Sequence, residues 1–185
     1  MNKNLLIALV IVVIAVVTVV IGIFVLPSLF PPVDISGVNP RATMTTAELV
    51  PTKLAGNPLV GTAQTGDLQV TSDIRSFIVE HTLALYDGIT INIIKADDQS
   101  DALDALDVIY EDEYGSGSGT RTQTTNWFKA DIDGRSAFFW RSGVWVFGVE
   151  AGDSDTRKQA AEHLVAHLEF FTRRPLNAPS PASDA

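Results

Sequence analysis

The chain has 185 residues, 46% of them hydrophobic, no cysteine and a formal net charge of −9. Without cysteine it can form neither a disulfide nor a lipid-modified cysteine anchor, and its acidity repels nucleic acid and anionic headgroups. With the N-terminal apolar run and the C-terminal tail set aside, ~130 to 150 residues remain, the size of one domain.

Residues 1–4 are short and polar. Leu5 to Leu26 then form an apolar run without a charge. Its length matches the ~20 residues that a helix needs to cross ~30 Å of hydrocarbon. The run exceeds the ~7 to 15 apolar residues of a cleaved signal peptide, and no Ala-x-Ala site follows it. It is expected to be a retained single-pass transmembrane signal anchor. Lys3 and the amino terminus precede it and Asp34 and then Arg41 follow, which by a small margin favours a cytoplasmic N-terminus and an extracytoplasmic (periplasmic) body at the cell membrane. Thr18 is its one hydroxyl, and with no ionisable residue the run is no ion path.

Residues 27–75 are rich in Pro, Thr and Gly and are expected to form a long extended arm. Thr45-Thr46-Ala47-Glu48 has the spacing of a capping box, and Asp67 to Thr71 suits a short strand. Leu49, Val50, Leu54, Leu59 and Val60 are more apolar than a spacer needs. The arm is therefore either a spacer or a segment lying along a neighbour or over the domain's own sheet.

Residues 76–174 read as an α+β domain in the order ββαβββα: an antiparallel sheet of about five strands with two helices on one face. Ser76 to Tyr86 and Ile89 to Lys95 alternate around Asp87-Gly88. A three-residue loop, Tyr86-Asp87-Gly88, would bring Val79, Leu83 and Leu85 onto the face of Ile89, Ile91 and Ile93, and that register is expected. Ser100 is expected to cap a helix from Asp101 to about Tyr114, with Ala102, Ala105, Leu106, Ile109 and Tyr110 as its buried stripe. It should fray into the loop Gly115 to Gly119, which lacks the lysine of a phosphate loop. A last helix, starting after Asp153-Ser154-Asp155 and ended by Pro175, carries Ala161, Leu164, Val165, Leu168 and Phe171 on its core side. Residues 175–185 are a Pro/Ala/Ser tail, expected to be disordered.

The meander from Thr124 to Glu150 holds all three tryptophans. With two-residue loops at Asp133-Gly134 and Ser142-Gly143, Trp127 faces Trp140, Trp140 faces Trp145, and Lys129, Phe138 and Phe147 form the next row. The opposite face carries Phe128, Phe139 and Val146, then Ala130, Ala137 and Gly148. Both faces are apolar, and two helices on one face leave the other to be shielded by the arm, a partner protein, lipid or a flat ligand such as a glycan. The tryptophan row is either core or a partner- or ligand-binding surface made by Trp127, Trp140, Trp145, Lys129, Phe138 and Phe147.

Chemistry is sparsely signalled. His163 and His167 are four apart on the last helix, a weak metal pair expected to face solvent, and Leu164 stands where a zinc protease needs Glu. His81 sits in an apolar strand without a nucleophile at a motif spacing. Asp131-Ile132-Asp133-Gly134 fits a hairpin turn better than a calcium loop, since Lys129 would fall on the first ligand position. No cofactor, metal or catalytic residue is implied. The expected function is that of a membrane-anchored accessory or scaffolding protein that docks onto a partner, as a small subunit of a larger membrane complex. The alternative is an extracytoplasmic ligand- or glycan-binding sensor.

Overall fold

The structure, a computed structural model, describes residues 13–14, 31–64 and 76–173. Two compact units divide the chain, residues 1–32 and 33–185. Of the first, Val13 and Ile14 are helical and exposed. Among the described residues no helix is long and apolar enough to cross a membrane. The expected transmembrane anchor is therefore no part of the described fold, and the rest of residues 5–26 lies outside the described residues. The expected strand over 67–71 and the tail 175–185 lie outside them too.

The second unit is built on a seven-stranded antiparallel sheet, not a sheet of about five strands. In chain order, a small hairpin pairs β1 (Lys53–Leu54) with β2 (Asn57–Pro58). The large sheet contains β3 (Gly61–Gln64), β4 (Ile78–Tyr86), β5 (Ile89–Ala96), β6 (Gly119–Gln123), β7 (Trp127–Ile132), β8 (Arg135–Ser142) and β9 (Trp145–Ala151). Their spatial order is β3-β4-β5-β9-β8-β7-β6. The two additional strands are the edges. Both are short and polar, so no apolar alternation marks them in the sequence.

Helices α1 (Gln99–Ile109) and α2 (Ser154–Arg173) pack on opposite faces, which corrects the expectation of one shared face. The Asp98 carboxylate caps α1 by accepting from the Ser100 and Asp101 backbone amides, so Ser100 is not the cap. A π-helical turn, Tyr110–Tyr114, extends α1 and buries Tyr114. Asp153 caps α2, accepting from Asp155 and Thr156.

Two cores result. Under α1 lie Ile94, Phe128, Ala130, Ala137, Phe139 and Val146. The Phe139 ring lies over Gly148, where any Cβ would collide with it. Under α2 lie the three tryptophans, Phe138, Phe147 and the isoleucines of β5, and the arm completes this core with Val33, Val38, Leu49 and Leu54. Of the two roles left open for the arm, the structure shows it lying over the domain's own sheet. The capping box is closed: Thr45 N donates to Glu48 Oε2 (2.7 Å) and Glu48 N to Thr45 Oγ1 (3.3 Å), starting the 3₁₀ turn Ala47–Leu49.

Candidate functional site

The register of the meander places the aromatic residues. Asp133 and Gly134 both have positive φ, so they form the tight turn that sets Trp127 opposite Trp140 and Lys129 opposite Phe138. The next turn centres on Gly143-Val144 rather than Ser142-Gly143. Gly143 has φ of 60°, as a turn with glycine first demands, and this pairs Ser142 with Trp145 and Trp140 with Phe147. The expected Trp140–Trp145 pairing is thus corrected by two residues, while all three rings keep one face.

That face is closed. Trp127 is 5% exposed, and Trp140, Trp145, Phe138 and Phe147 are fully buried. The arm bonds to the sheet beneath it: Trp145 Nε1 donates to Pro40 O (2.9 Å), Lys95 Nζ to Met44 O (2.9 Å), and Ser142 Oγ to Val38 O. Asn39 N donates to Thr172 Oγ1 on α2 (2.9 Å). Lys129 is half-buried. The six residues read as a binding surface thus sit in or against the core, and stacking of a glycan would need rings that are inside.

The opposite face is covered only in part, because the β4–β5 hairpin departs from the expected register. Tyr86 pairs with Ile89 around a two-residue loop, Asp87-Gly88, so Tyr86, Ala84 and Thr82 share the face of Ile89, Ile91 and Ile93. The reason lies in the arm: Tyr86 Oη donates to Pro51 O (2.6 Å) and Thr82 Oγ1 bonds Thr46 Oγ1 (2.7 Å). Leu83 and Leu85 consequently turn to the α1 face, opposite Asn92 and Thr90. Helix α1 packs chiefly over β5, β8 and β9 and reaches only the near side of β4. Leu85 is 42% exposed, and Leu83, Thr90 and Ala63 are half-buried. Val60, which donates its amide to Leu85 O, is exposed as well.

A polar chain borders this strip. Asn92 Nδ2 donates to Glu150 Oε1 (3.0 Å), which leaves Asn92 Oδ1 to accept from His81 Nε2 (3.0 Å). Tyr114 hydrogen-bonds Glu150 from the other side, and the Arg135 guanidinium lies 5.3 Å over the Tyr114 ring. Burial lowers the His81 pKa against a smaller opposing effect of Asn92, so His81 is a neutral donor at pH 7. Burial, then the charge and hydrogen bond of Glu150, hold the Tyr114 hydroxyl protonated. The chain orients His81 and ties β4, β5 and β9 to the end of α1. It was not legible in the sequence because its members lie 11 and 58 residues apart.

The two helix histidines separate. His163 is exposed, whereas His167 is half-buried against Phe171 (5.0 Å between ring centres) and bonded to the Leu49 backbone, contrary to the expectation of a solvent-facing pair. Among the described residues no group of three or more His, Cys, Asp or Glu is arranged to hold a metal.

No family model matches the sequence, and no curated protein matches it. Among solved structures, one described as a GTP binding regulator from Thermotoga maritima aligns with a TM-score of 0.43 and 14% identity, over 73% of this chain and 93% of that one. A likeness of that degree carries no functional argument.

Proposed function

We propose that this chain is a non-catalytic accessory protein whose domain docks onto a protein partner. The observation that carries the proposal is the strip of half-buried Leu83 and exposed Leu85 beside α1. The arm and α2 already shield the tryptophan face, so the surface that needs company is the other one. Attachment to a membrane belongs to the same proposal and is supported by the apolar sequence of residues 5–26 alone.

Size analysis of the full chain, gently extracted from its native cells, tests the reading. The wild type should run in an assembly well above its 19.9 kDa mass, and Leu85→Asp should run alone with its fold intact. A wild-type chain that runs alone, or an assembly indifferent to Leu85→Asp, would overturn it.

A further inference from the structure

We infer that the uncovered strip takes a lysine- or arginine-bearing, partly apolar segment of the partner protein. This rests on the docking reading above and names the partner's chemistry.

The floor is apolar, with Leu83, Leu85 and Ala63 on adjacent strands. The wall is acidic. From Asp97 to Glu113 the chain carries eight carboxylates and no basic residue. Asp107 and Tyr110 point toward the β6–β7 side, where Gln123 Nε2 donates to Asp107 Oδ1 and Tyr110 meets the Phe128 ring. Helical spacing therefore puts Asp101 and Val108 on the opposite flank of α1, a helix that also contacts β4, and Asp112 follows in the π-helical turn. Half-buried Glu150 adds a carboxylate to the floor beside Thr90. The ion pairs Arg157–Asp131, Lys158–Glu162 and Arg173–Glu169 lie away from the α1 carboxylates. Partial burial and the neighbouring Asp98, Asp97 and Asp104 raise the Asp101 pKa, so this flank gains from an arriving cation.

The same charges disfavour other occupants. A second copy seated symmetrically on the strip would bring two acidic walls together. Anionic lipid is repelled. The chain's own segments outside the described residues bring little positive charge: residues 1–12 and 15–30 together offer one basic side chain, Lys3, besides the amino terminus, residues 65–75 offer Arg75 against Asp67 and Asp73, and residues 174–185 offer Arg174 against Asp184.

The test titrates the full chain against a fluorescent peptide of alternating lysine and leucine, with a glutamate–leucine peptide as the counterpart. The lysine peptide should bind, and Asp101→Lys/Asp112→Lys should weaken it about tenfold, the scale expected when a few exposed charge pairs are reversed. Leu85→Asp should weaken it at least as much. Asp155→Lys/Glu162→Lys on α2, with the same change in net charge, should leave it within about twofold. Equal weakening by both charge-reversed pairs, binding of the glutamate peptide instead, or Leu85-dependent binding to neutral phosphatidylcholine vesicles or to a second copy would each overturn the inference. A native assembly lost on Leu85→Asp but untouched by Asp101→Lys/Asp112→Lys would reject the basic partner and keep the docking reading. An assembly untouched by both would reject the docking reading itself.

Discussion

Tyr86 stands directly across from Ile89, and its hydroxyl reaches the Pro51 carbonyl 35 residues earlier in the chain. This pairing turns Leu85 out of the core. A hairpin one residue longer would have buried Leu83 and Leu85 and exposed Tyr86 and Thr82, whose hydroxyls now bind the arm. The uncovered strip is thus a consequence of how the arm is held.

The arm should behave as core, not as a tether. Leu49 and Leu54 are fully buried among the tryptophans and α2. Leu49→Ala and Leu54→Ala should each cost about 2 to 4 kcal/mol in chemical denaturation. Losses under about 0.5 kcal/mol, typical of surface positions, would show that the arm is not part of the domain.

Gly148 has no room for a side chain. The Phe139 ring occupies the place of its Cβ, so Gly148→Ala should destabilise by about 1 to 3 kcal/mol. Adding Phe139→Leu should recover part of that loss. Additive effects of the two changes in a double-mutant cycle would contradict the packing.

Arg157 is buried and bonds Asp131 at 3.1 Å, with Ser136 Oγ donating to the same carboxylate. Asp131 is 38% exposed at its side chain, so the pair is worth less than a fully buried one. The two truncations should differ. Asp131→Ala strands a buried guanidinium and should cost about 2 to 3 kcal/mol, whereas Arg157→Met leaves a carboxylate that water can reach and should cost about 1 kcal/mol. Equal unfolding midpoints for the two variants would refute this asymmetry.

Acid should weaken the fold before the carboxylates titrate. His81 and His167 both have pKa values lowered by burial from 6.5. Between their folded values and 6.5 the unfolded chain binds more protons, so stability falls as pH drops below about 6.5. Asp34 and Asp153, lowered by hydrogen bonds from Ser36 and Thr156, add their loss only near and below 3.8. Unfolding midpoints from pH 7 to 4.5 should slope downward in the wild type and flatten in His81→Gln/His167→Gln. An unchanged slope would rule out these histidines as its source.

Much of the meander was legible in the sequence. Alternation and the Asp133-Gly134 turn were enough to pair Trp127 with Trp140, and the apolar spacing of α1 and α2 marked their buried stripes. Three features escaped, each for a physical reason. Strands β3 and β6 carry almost no apolar residues and owe their pairing to the neighbouring strand. Both faces of β4 offer apolar side chains, so its register was settled by distant bonds to Pro51 and Thr46. The helices take opposite faces because the arm supplies the extra cover that the tryptophan face needs, and a segment rich in Pro and Gly does not announce which surface it will lie on. The burial of the tryptophan row escaped for the same reason, since the arm and α2 that cover it are not marked as its cover in the sequence.

Because the chain contains no cysteine, a single Leu85→Cys reports on that strip alone. The decisive measurement is the rate at which a maleimide labels this thiol in the purified chain and in native extract. The account predicts fast labelling of the purified protein and strong protection in the extract, with Asp155→Cys on α2 labelled equally in both. Equal, fast labelling at position 85 in both preparations would contradict it.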